Sequence, residues 1–140
     1  MTERSAPRVF EPSAQGPGPA QRHDWRATRL EPELDAAREQ ARAALHAALA
    51  APAAASDPEG VTAWAAAELA AERCLDLALG WAYDQLDAPR PAPAALPADL
   101  RRRAPRTGAL ACQALTAPDA RTRLIFVEDL LAHLESEGAR

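Results

Sequence analysis

At 140 residues and a formal net charge of −4, the chain has room for one domain of ordinary size, with enough buried surface to fold without disulfide staples. Only 4% of its residues are aromatic and Ile125 is the sole isoleucine, which denies a β-sheet its usual stock and points to an all-α fold. There is no lysine, so Schiff-base and P-loop-lysine chemistry is excluded.

Residues 1–27 read as a disordered, solvated arm, with Pro7, Pro12, Pro17, Pro19, Gly16 and Gly18 and few large apolar residues beyond Val9 and Phe10. A helical bundle is expected over residues 28–137. Thr28 and Glu31 have capping-box spacing with Pro32 in the first turn, which predicts a first helix to about Ala50. Leu30, Leu34, Ala37, Ala41, Leu45 and Ala48/Leu49 form its apolar stripe. Pro52 ends it. Ser56 and Glu59, with Pro58 between them, form a second capping box and predict a helix to about Leu86. Val61, Trp64, Leu75, Leu79 and Leu86 fall on one of its faces, and Cys74, Leu77 and Trp81 on nearly the opposite one. A helix apolar on two sides is central in a bundle or shared with a partner. Gly80 within it is read as a mark of close packing against the first helix, because glycine there costs about 1 kcal/mol relative to alanine.

Four prolines between Asp87 and Pro97 predict an extended linker over 87–97. Short helices are expected over Pro97–Ala104, with Leu96 and Leu100 facing inward, and over Gly108–Leu115. The last helix starts near Pro118, helped by Thr116 and Asp119, and carries Leu124, Val127, Leu130, Leu131 and Leu134 into the core before Gly138. The sum is a small bundle of four to five helices.

About a quarter of the chain is alanine and asparagine is absent, the usage of a GC-rich bacterial genome, so the rarer residues carry more information. Residues 1–29 hold five arginines against three acids, 30–88 hold eleven acids against three arginines, and 89–106 hold five arginines against one acid. An acidic body disfavours general nucleic-acid binding. Cys74 and Cys112 are far apart, without a CxxC or a flanking histidine, and suit a reducing compartment better than a zinc site or a disulfide framework. No signal-peptide core and no run of eighteen apolar residues stands out, so a cytoplasmic chain without a membrane span is expected.

Functional signals are few. The thin 97–115 region makes Cys74, Leu77 and Trp81 the expected partly exposed patch for a protein partner or a second copy of the chain. Glu68, Glu72 and Asp76 stand four apart, and Glu68 and Glu72 enter an apolar sector, where acids are costly unless paired. They are read as a polar seam against a partner, as groove-edge groups bonded to Arg73, Arg121 or Arg123, or as a metal site completed by Asp129 and His133. The Glu-x-x-His pairs of carboxylate bundles are missing, and no metal is assigned. Arg101, Arg102, Arg103 and Arg106 concentrate positive charge, either as a helix end complementing its dipole or as an anion or RNA contact. No aromatic stands near them for base stacking. His23, His46 and His133 are scattered, and neither catalytic residues nor a cofactor are assigned.

The order of a long helix, a second helix reading Ala-Ala-Glu-Arg-Cys-Leu-Asp-Leu-Ala-Leu at 70–79, a Pro-rich crossing, Leu-Pro-Ala-Asp-Leu at 96–100 and a final apolar helix resembles HEPN-type bundles, found in RNA-cutting toxins and their inactive relatives. The resemblance covers about residues 30–135. The arginine and histidine that HEPN ribonucleases carry four to six residues apart are missing, since Arg42 and His46 are separated by only three and sit on the first helix. The resemblance therefore implies a non-catalytic member. The expected function is that of a non-enzymatic accessory or regulatory protein acting by protein–protein contact, with an inactive HEPN-like module contacting RNA through Arg101–Arg106 as the alternative.

Overall fold

The computed structural model of the chain describes residues 31–51 and 58–138. The arm over 1–27 and the caps Thr28 and Ser56 lie outside the described residues. Among those described there are five helices and no strand: α1 Glu31–Ala50, α2 Pro58–Leu86, α3 Leu96–Arg103, α4 Pro105–Leu115 and α5 Ala120–Gly138. The all-α bundle expected from composition and periodicity is the fold observed.

Helix α5 supplies most of the largest fully buried side chains. Its spacing puts Leu124, Val127, Leu130, Leu131 and Leu134 on one broad buried face, packed between α2 and α4. Asp119 starts it: Oδ1 accepts the Thr122 N–H at 2.8 Å, and that bond holds the Asp119 carboxyl below the ordinary carboxylate range. One turn later Arg123 reaches back across the bundle. Its Nε donates to the Ala114 carbonyl at 3.1 Å, Nη2 to the Ala117 carbonyl at 3.0 Å and Nη1 to Glu68 Oε1 at 2.7 Å. Ala114 is in the last turn of α4, where carbonyls lack a helical donor, so one planar fork fixes the α4–α5 turn and ties it to α2.

Helix α2 is central over its second half, where Cys74, Leu75, Ala78, Leu79, Trp81, Ala82 and Tyr83 are buried around its circumference. Gln85 Nε2 donates to the Leu134 carbonyl at 2.9 Å and joins the ends of α2 and α5. Asp87 then takes φ 55°, and the N–H groups of Asp87 and Ala88 donate to Asp84 and Tyr83. This is a Schellman ending with aspartate in the left-handed position usually held by glycine. The linker that follows is pinned by Arg90, which donates to the Asp76 carbonyl at 3.2 Å and to its Oδ1 at 2.6 Å.

A single residue joins α3 to α4. The Ala104 N–H donates to Leu100 and its carbonyl accepts from Gly108, both at 2.8 Å, while Pro105 occupies the first position of α4, where its missing N–H costs nothing. Leu96 and Leu100 point inward as expected. Close helix approach occurs here, at Gly108, where an added Cβ would lie 2.5 Å from Arg101 Cα. Gly80, read as the close-packing mark, instead has no atom within 4 Å of an added Cβ.

Helix α1 buries Leu34, Ala37, Ala41 and Ala48. Ala44 and Ala48 share an alanine-lined seam with Ala63, Trp64, Ala67 and Ala71 of α2 and with Ala120. Leu45 and Leu49 do not join the stripe. At about 100° per residue they point roughly 50° and 90° away from its mean direction, and Leu49 is 53% exposed.

The two helical glycines should respond oppositely to alanine. Gly108→Ala drives a Cβ into backbone and is expected to cost about 3 kcal/mol, whereas Gly80→Ala should stabilise by up to about 1 kcal/mol through helix propensity alone. Urea unfolding of both variants measures the difference.

Candidate functional site

The apolar surface left unfilled by the core lies between α1 and α5. Arg42, Leu45, His46 and Leu49 of α1 and Arg121, Leu124, Ile125 and Glu128 of α5 line a groove of about 300 Å³. Each helix supplies residues at i, i+3, i+4 and i+7, the spacing of one helical face. Leu124 is buried and forms the floor; Leu49 and Ile125, 53% and 54% exposed, rise at the edges. Glu128 organises the charges. It accepts from both Arg42 Nε, at 3.1 Å, and Arg42 Nη2, and it lies 3.8 Å from Arg38 Nη2. The Arg42 bond holds the Glu128 carboxyl below its ordinary range, and Glu128 raises the Arg42 guanidinium in return. Arg121, at the other end of the α5 stripe, forms no ion pair among the described residues.

The groove is not lined by Cys74, Leu77 or Trp81, the patch expected from the sequence. That patch is corrected: Cys74 is fully buried, Trp81 is 7% exposed and only Leu77 is half-buried, because the bundle closes around this half of α2. Burial pushes the Cys74 thiol up to about 11, away from the thiolate that reactive cysteines need. Outward-facing apolar residues of α2 are found in its first half instead, at Val61 and Leu69.

Glu68 and Glu72 part company. Glu68 is bonded to Arg123, as the groove-edge reading has it, while Glu72 is exposed; Asp76 is taken by Arg90. Among the described residues no group of three or more His, Cys, Asp and Glu side chains is arranged to hold a metal ion.

The arginine cluster is divided by Asp99. Arg102 Nη2 donates to Asp99 Oδ1 at 2.6 Å, Arg103 Nε donates to Oδ2 at 3.0 Å, and the Tyr83 hydroxyl donates to Oδ2 at 2.7 Å. Two of the four positive charges are thus committed to a local acid, and Arg101 and Arg106 stand exposed on either side. The Tyr83 bond, followed by the arginines, holds Asp99 below the ordinary carboxylate range.

A second, more polar cleft of about 590 Å³ lies between α4 and α5, lined in part by Arg106, Asp129, His133 and Ser136. His133 Nε2 is 3.0 Å from Thr107 Oγ1, the buried hydroxyl of α4. Asp129, one turn before His133, is exposed and makes no bond to its ring.

Comparison with known protein families, with characterised proteins and with solved structures returned no match. Among the described residues no helix is long and apolar enough to cross a membrane.

Tyr83 is the only tyrosine of the chain, so its titration can be read without interference. Burial, reinforced by the bond to Asp99, pushes its hydroxyl from 10.0 up to about 12. Since the folded value lies above the unfolded one, the stability this group contributes is full below pH 10 and is lost as pH rises towards 12. Phenolate absorbance of the native chain should therefore rise late, and Tyr83→Phe should flatten the alkaline loss of stability measured by denaturant unfolding.

Proposed function

We propose that the chain is a non-enzymatic accessory protein that works by protein–protein contact, and that the groove between α1 and α5 is the surface it uses. The observation that carries this reading is the pair Leu49 and Ile125, each more than half exposed at the edge of one apolar groove. Single exposed leucines are ordinary on protein surfaces. A pair of them over an apolar floor, with charged residues at the rim, has the anatomy of a contact that accepts a helix. The eight-residue stripes are about 10 Å long, which suits two turns of an incoming helix.

The non-enzymatic part draws support from how the reactive groups are occupied. The Cys74 thiol is buried, the His133 ring is engaged by Thr107, and Asp99 is held by a tyrosine and two arginines.

A photo-cross-linking residue placed at Leu49 or Ile125 of the full chain in its native host should yield discrete protein adducts. The same residue at Leu69, which is more exposed but outside the groove, should yield none. Equal labelling from all three positions, or no adduct from the groove, would refute this reading.

A further inference from the structure

We infer that the occupant of this groove is a second copy of the chain, docked about a two-fold axis with the two α5 helices antiparallel. The inference rests on the groove being a contact surface and names its partner. The α5 stripe reads Arg121, Leu124, Ile125, Glu128: a cation at one end, an anion at the other and apolar residues between. Its midpoint falls between residues 124 and 125. Rotation by half a turn about that point lays Arg121 against Glu128 of the partner subunit and Leu124 against Ile125 of the partner subunit. A two-fold interface must be complementary to itself, and this stripe is so in both charge and apolar content.

The local chemistry favours that arrangement over other occupants. Arg121 forms no ion pair among the described residues, and Glu128, held by Arg42 and 3.8 Å from Arg38, keeps one-third of its side chain exposed on the groove side. Two such contacts per dimer complete an Arg42–Glu128–Arg121 chain at each end of the groove. Ile125 then enters the partner's groove beside Leu45 and Leu49, where its exposed surface is removed from water. A ridge-into-groove contact with Val61 and Leu69 of another copy would be head-to-tail and would generate open chains or rings in place of a closed pair.

Sedimentation equilibrium of the full-length chain should show a monomer–dimer equilibrium at about micromolar concentration. Ile125→Asp should weaken it by about thirtyfold or more, as expected for a central apolar anchor, and Arg121→Glu by about tenfold, since it sets two carboxylates together. Leu69→Asp should leave it unchanged. Ile125 is half exposed, so its variant should fold, which circular dichroism checks; should it not fold, Leu49→Asp tests the other edge. With Cys112→Ser removing the accessible thiol, Ile125→Cys should form a disulfide between two copies, and Leu69→Cys should not. A chain still monomeric at about 0.1 mM, a dimer indifferent to Ile125→Asp, or assembly into open chains lost on Leu69→Asp overturns the inference. A monomer that nonetheless gives a discrete adduct with another protein at Ile125 sinks the second copy and leaves the groove's role standing. A monomer without any adduct sinks both.

Discussion

Arg123 is placed where three separate requirements meet. The end of α4 leaves carbonyls without helical donors, the turn after it adds another at Ala117, and Glu68 brings a carboxylate into a half-buried position on α2. Each of these groups would be expensive to leave unbonded away from water, and no two of them share a helix. A guanidinium satisfies all three because its five donors lie in one plane and point outward in a fixed fork. An ammonium at the end of a flexible stem has three donors but not the fixed planar fork. The α4–α5 hairpin, and through it the face that α5 turns to α2, depends on this one side chain.

Arginine does similar work elsewhere. Arg90 pins the proline-rich linker to Asp76, Arg42 joins α1 to α5 through Glu128, and Arg102 and Arg103 share Asp99. A chain without lysine meets its polar needs through forks, and several of its arginines are thereby spent on architecture. Positive charge counted along the sequence therefore overstates what is open to an anion, and the 101–106 cluster illustrates this well. Its density is high, but Asp99, the only acid of residues 89–106, takes two of its members.

Features set by neighbours in sequence were legible from it. The α5 core and the inward-facing Leu96 and Leu100 follow from periodicity, and Asp119 from its place before a helical run. Features set by distant segments were not. Both faces of α2 are apolar, and which one is covered depends on where α1, α3 and α4 land, so Trp81 and Val61 exchange the roles that periodicity alone would give them. Gly80 and Gly108 look alike in sequence; only the crossing of α3 over α4 distinguishes open space from a backbone 2.5 Å away. The groove was partly readable. Leu45 and Leu49 already drift off the α1 stripe in angle, a signal lost by counting them with the alanines.

The alanine seam beneath α1 has a consequence for dynamics. Alanine contributes about one methyl group to a contact, so a helix seated on Leu34, Ala37, Ala41 and Ala48 gains less from burial than α5 does from four leucines and a valine. The surface ion pairs of Arg38 and Arg42 add little to that. Helix α1 accordingly has a smaller opening free energy than α5, and its amides should exchange with solvent first. Yet α1 forms one side of the groove, and Arg38 and Arg42 stand near enough to Cys74 to influence its thiol. Occupancy of the groove and seating of α1 are then linked equilibria: whatever binds there holds the helix down by RT ln(1 + [L]/Kd), and the rate at which Cys74 meets a thiol reagent reports how often it lifts.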